Sequence, residues 1–159
     1  MPVSQPRVAV RTIQTASPEA TRTLGATLAS AARAGDLIAL RGELGAGKTQ
    51  FAKGFGAGLG VTATINSPSY VLATEYLGRL PLFHLDLYRL DDAADALAGG
   101  LLDERQAAGV TLVEWAERFG PILPAGRLDV EIEGSGDDTR TFRLSATEPS
   151  FERYLEAIR

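Results

Sequence analysis

The sequence predicts one three-layer α/β domain with a mixed, mostly parallel central sheet. Three observations carry that reading. The short apolar run "DLIAL" at 36–40 stands between Gly35 and Gly42, as a buried parallel strand does. Stretches of strand character alternate with stretches of helical character along the chain. Near the end, "GSGDD" separates "LDVEIE" from "TRTFRLS", which is the signal of a C-terminal β-hairpin.

Each element follows from its residues. "VAVRTI" at 8–13 alternates apolar and polar side chains and reads as a half-buried edge strand. Ser17 offers a helix cap with Pro18 at the first helical position, and an Ala- and Leu-rich helix runs from there to about Arg33. After "DLIAL" come a glycine-rich turn and a helix to about Leu59, in which Gly54, Gly56 and Gly58 imply a loose or closely packed C-terminal end. "SYVLATEY" (69–76) and "LPLFHLD" (80–86) read as strands joined at Gly78-Arg79. The segment 91–108 reads as two short helices broken at Gly99-Gly100, and "GVTLVE" (109–114) as a second central strand ending on a carboxylate. "SFERYLEAIR" closes the chain as a short helix.

Composition narrows the function. At 159 residues, 45% hydrophobic and 23% charged, the chain is an ordinary globular domain spanning residues 1–159. Its formal net charge of −4 gives no basic footprint for nucleic acid, so in an RNA pathway another subunit would hold the RNA. Cysteine is absent, which excludes disulfides, zinc-thiolate sites and thiol catalysis. No signal peptide or membrane span is legible, and a cytoplasmic protein without membrane attachment is expected.

The turn after the central strand carries the chemistry. Gly42-Glu43-Leu44-Gly45-Ala46-Gly47-Lys48-Thr49 satisfies G-x-x-x-x-G-K-[ST] in full, between a predicted strand and a predicted helix. Glycines let successive backbone N–H groups turn inward as an anion nest, and the helix N-terminus adds its dipole. Lys48 is placed to reach β- and γ-phosphates, and the Thr49 hydroxyl to ligate Mg²⁺. The fold is thus P-loop NTPase-like. The single asparagine, Asn66, is followed by Ser67-Pro68, so the Asn-Lys-x-Asp clamp for guanine is absent and ATP/ADP is the expected nucleotide.

Two acids stand where apolar runs end. Asp86 ends "LFHLD" and Glu114 ends "VTLVE", at the strand edge where α/β sheets bind ligands. One would hold the metal while the other orients the attacking water. The assignment is Glu114 on Mg²⁺ and Asp86 in a catalytic or supporting role, with the exchange of the two left open. His84 is the only histidine, which excludes a multi-histidine metal site; two positions before Asp86, it shares that acid's side of the strand and reads as a hydrogen-bonding residue. Tyr88 and Arg89 follow as candidate contacts, and Asp91, Asp92 and Asp95 as a solvated helix start.

The order Ser67-Pro68-Ser69-Tyr70, then "FHLDLYRL" (83–90), "LVEWAER" (112–118) and "ILPAGRLDVEIE", closely resembles the TsaE family of small bacterial P-loop ATPases over about residues 17–146. The resemblance implies a role in making N6-threonylcarbamoyladenosine in tRNA. It implies hydrolysis of ATP that is feeble alone, a TsaB–TsaD heterodimer as partner, and contact with tRNA only through that complex. It implies that the loop Gly42–Thr49, Asp86 and Glu114 keep the family's roles, and that Ser67 and Ser69 belong to a switch-like segment answering the γ-phosphate. Trp115 would face a partner or brace a loop, and Arg140 would touch the nucleotide. Gln50 departs from the family's second threonine after the lysine, while the Thr49 hydroxyl remains. Two other classes stay in view. A small-molecule kinase would need an Arg-rich lid, for which segment 91–108 supplies only Arg105. A nucleotide-dependent binding module with little turnover would not call for both acids.

Overall fold

A computed structural model describes residues 9–42, 47–65, 73–87, 104–117, 123–134 and 139–158. Its strands are β1 (Ala9–Thr15), β2 (Leu37–Arg41), β3 (Ala73–Tyr76), β4 (Leu82–Asp86), β5 (Val110–Glu114), β6 (Leu128–Glu133) and β7 (Arg140–Ala146). They form one sheet in the order β1-β7-β6-β2-β5-β4-β3. The four central strands β6, β2, β5 and β4 are parallel, and β7 and β3 run against them. β1 opposes β7 and so runs with the centre. The mixed sheet, its edge strand β1 and the β6–β7 hairpin are those the sequence led us to expect.

Helices α1 (Pro18–Ala29), α2 (Lys48–Gly58) and α3 (Glu152–Glu156) cover one face. Ser17 caps α1 by accepting the Ala20 N–H at 3.0 Å. The helix stops four residues short of the expected Arg33, because Asp36 accepts the Arg33 N–H and Arg79 donates to the carbonyls of Ala29 and Ala32. The core beneath these helices joins Leu24 and Leu28 of α1 and Phe51 and Phe55 of α2 to Ile38, Leu40, Leu112 and Phe142 of the sheet. On the opposite face Leu37, Ala39, Leu85 and Val113 form a smaller cluster with Leu87, Ala116 and Leu123.

The glycines of α2 resolve in favour of close packing. A Cβ on Gly58 would approach Ala26 O within 2.5 Å, one on Gly25 would meet Phe51 O at the same distance, and one on Gly54 would collide with the Arg22 backbone. Removing these side chains lets α1 and α2 pack backbone to backbone. Of the two helices expected at 91–108, residues 91–103 lie outside the described residues, and Glu104–Ala108 is a short 3-10 turn. The closing segment is a 3-10 turn at Pro149–Phe151 leading into α3.

Candidate nucleotide site

Because β2, β4 and β5 are parallel, their C-terminal ends share one edge of the sheet. Gly42 leaves β2 there, and the chain re-enters at Gly47, whose φ of +106° is left-handed and suits a residue without Cβ. α2 then begins at Lys48, with Thr49 in its first turn. Glu43, Leu44, Gly45 and Ala46 lie outside the described residues, as do Ser67 and Ser69 and the candidate contacts Tyr88 and Arg89.

The same edge receives the acids. In the β4–β5 ladder Asp86 stands directly beside Glu114, and both are buried. Strand alternation puts them on the face that carries α2, since Leu82 on β4 and Leu112 on β5 belong to the core beneath that helix. The backbone is pinned at this point by the Leu87 N–H donating to Glu114 O at 3.1 Å. Glu114 Oε2 lies 2.5 Å from His84 Nε2, so the expected hydrogen-bonding histidine serves Glu114 on the neighbouring strand.

Lys48 reaches into this group. Its ammonium donates to Gly42 O, across the mouth of the loop, and lies 3.8 Å from the centroid of the Trp115 ring. Burial lowers the Lys48 pKa, and the charges of Glu114, Glu117 and Asp86, in that order, oppose the shift. Glu117 is a member of this electrostatic group that sequence reasoning missed, though it stands one helical turn's spacing after Glu114. Trp115 was expected at a partner surface or bracing a loop; its partly buried ring packs on the smaller core cluster and supports the lysine. It is also the one non-glycine residue with positive φ (60°) among the described residues, just past the end of β5. Arg140 stands beside the start of α2: a Cβ on Gly47 would lie 3.9 Å from its Nε.

This donor set fits a hard divalent cation in the manner of Mg²⁺. Among the described residues no group of three or more His, Cys, Asp or Glu side chains could cage a metal ion. What is present is the Thr49 hydroxyl and two register-paired carboxylates at one edge of the sheet, a partial oxygen set of the kind Mg²⁺ accepts. Gln50, the departure from the family pattern, is engaged elsewhere: its Oε1 accepts from Arg22 Nη1 at 2.5 Å and ties α2 to α1.

The comparisons with known proteins agree with this architecture. The family profile described as "Threonylcarbamoyl adenosine biosynthesis protein TsaE" matches residues 15–142. The chain belongs to the TsaE family. It is 41% identical over 146 residues to the tRNA threonylcarbamoyladenosine biosynthesis protein TsaE of Bacillus subtilis, covering 91% of each chain. It is 43% identical over 121 residues to the protein of that name from Streptomyces coelicolor, covering 74% of this chain and 82% of the other. The crystal structure of Bacillus subtilis YdiB superposes with a TM-score of 0.73 at 37% identity, covering 93% of both chains. No helix among the described residues is long and apolar enough to cross a membrane.

Proposed function

We propose that this TsaE-family protein binds ATP with Mg²⁺ at the edge formed by β2, β4 and β5 and hydrolyses it as a component of the tRNA N6-threonylcarbamoyladenosine machinery. The observation that carries the reading is the meeting of Lys48, at the start of α2, with the register-paired Asp86 and Glu114. In this reading the loop from Gly42 to Thr49 cradles the phosphates, and Lys48 leaves Gly42 O and Trp115 for the β- and γ-phosphates. Thr49 and Glu114 hold the cation and Asp86 orients the attacking water. Bound Mg²⁺ would neutralise charge on the β- and γ-phosphate oxygens. Arg140 adds a positive group beside Gly47. The acidic chain does not itself grip tRNA; a TsaB–TsaD heterodimer holds it, and turnover depends on that partner.

The test is ATP hydrolysis by the protein alone and with TsaB–TsaD, with Glu114→Ala as control. A low basal rate, stimulated by the heterodimer and lost in the variant, is expected. An unstimulated rate together with no binding to the heterodimer overturns the partner reading. ATP binding that survives Lys48→Ala overturns the phosphate loop.

A further inference from the structure

His84 is the chain's single histidine, and its imidazole is fully buried. One ring nitrogen, Nε2, lies 2.5 Å from Glu114 Oε2; the other, Nδ1, is equally buried and meets no hydrogen-bond partner among the described residues. A carboxylate oxygen accepts, so this contact requires the proton on Nε2. A proton on Nδ1 would be a buried donor with nothing to receive it, so Nδ1 keeps its lone pair. Packing gives no reason for a polar ring here, since Leu82 and Leu112 beside it are fully buried and apolar. The register accounts for the reach: His84 stands opposite Leu112, and Glu114 lies two residues further along β5 on the same face.

We propose that His84 is the positioning residue of the site, holding Glu114 Oε2 through Nε2–H and leaving Oε1 as the oxygen with which Glu114 meets the cation. The proposal rests on the nucleotide reading above and divides the two acids. Glu114 has one oxygen engaged by His84 and the other left to present, as a supported metal-ligating carboxylate has, so it holds the cation. Water activation falls to Asp86.

A single histidine makes the tautomer directly readable. In the ¹⁵N-labelled protein, long-range ¹H–¹⁵N correlation should show one imidazole protonated at Nε2, with the pattern perturbed in Glu114→Gln. His84→Leu should weaken the Mg²⁺ dependence of ATP binding by about tenfold or more, as loss of such supporting bonds does elsewhere, while metal-free ADP affinity stays within about twofold. His84→Gln, which can present an N–H at a similar reach, should restore most of the loss. An Nδ1-protonated ring, parental Mg²⁺ dependence in His84→Leu, or a folded His84→Gln no better than the leucine variant overturns the proposal. If His84→Leu does not fold, the parent's tautomer and the Mg²⁺ dependence of His84→Gln decide the matter. Failure of the parent to bind ATP at all overturns the nucleotide reading; parental binding with an indifferent His84 overturns this inference alone.

Discussion

Lys48 is held under two opposed demands. Its place in the first turn of α2 brings the ammonium to the phosphate loop, and the same place buries it. Desolvation lowers its pKa despite three nearby carboxylates, so the folded protein pays for keeping it charged. The sign follows: that cost is present below the lowered folded value and fades as pH rises from there toward 10.5, the unfolded value. Lys48→Met keeps a long unbranched side chain at this position and removes the charge beside Trp115. At pH 7 without nucleotide it should melt higher than the parent, on the order of 2–4 °C for each kcal/mol relieved in a domain of this size. It should also lose the extra stabilisation that ATP with Mg²⁺ gives the parent; thermal unfolding with and without nucleotide checks both. A variant that melts lower would show that the contacts to Gly42 O and Trp115 outweigh desolvation. Lysine, Asp86 and Glu114 were legible because motif spacing and the ends of apolar runs mark them. The Trp115 contact was not, because it joins the start of α2 to the end of β5, which lie far apart in the chain.

Between residue and fold, the contact of α1 with α2 sets where the loop can sit. Three glycines, Gly25, Gly54 and Gly58, lie where Cβ atoms would strike the facing helix. In sequence the α2 glycines signalled either fraying or close approach, and helix propensity alone could not choose; only the neighbour's backbone decides. Arg22 to Gln50 adds a polar tie across the same contact. Gly54→Ala should raise the intrinsic helix propensity of α2 by about 1 kcal/mol and yet destabilise the protein, since overpacking costs about 1–3 kcal/mol or more where backbone cannot yield. The new methyl group meets the Arg22 backbone, which cannot rotate away as a side chain would. Chemical denaturation should show a lower midpoint. ATP affinity should fall with it, because α2 carries Lys48 and Thr49. An unchanged midpoint would show that the helices can part without loss.

Across the whole molecule, the anchorage of α3 and the proposed nucleotide site lie at opposite ends of β2. Asp36, just before β2, accepts the Tyr154 O–H at 2.5 Å and is also bonded by Arg153, which fastens α3 to the start of β2. Gly42 lies past the far end of β2. The fold class could be read from the order of strands and helices, but this fastening could not, because its partners are more than a hundred residues apart. Burial, then the Asp36 bond and charge, raises the Tyr154 pKa above its ordinary 10. Above pH 10 the unfolded tyrosine releases its proton while the folded one keeps it, so the contribution is full below that pH and is lost progressively above it. Tyr154→Phe should therefore lower stability at pH 7 by about 1–2 kcal/mol, with Asp36 left to Arg153 and the Arg33 N–H, and should lose less than the parent between pH 10 and 11. Denaturant midpoints at the three pH values test this. ATP affinity at pH 7 should match the parent's, because the lost bond lies at the end of β2 remote from Lys48. A parallel fall in affinity would mean that α3 and the phosphate loop are coupled through β2.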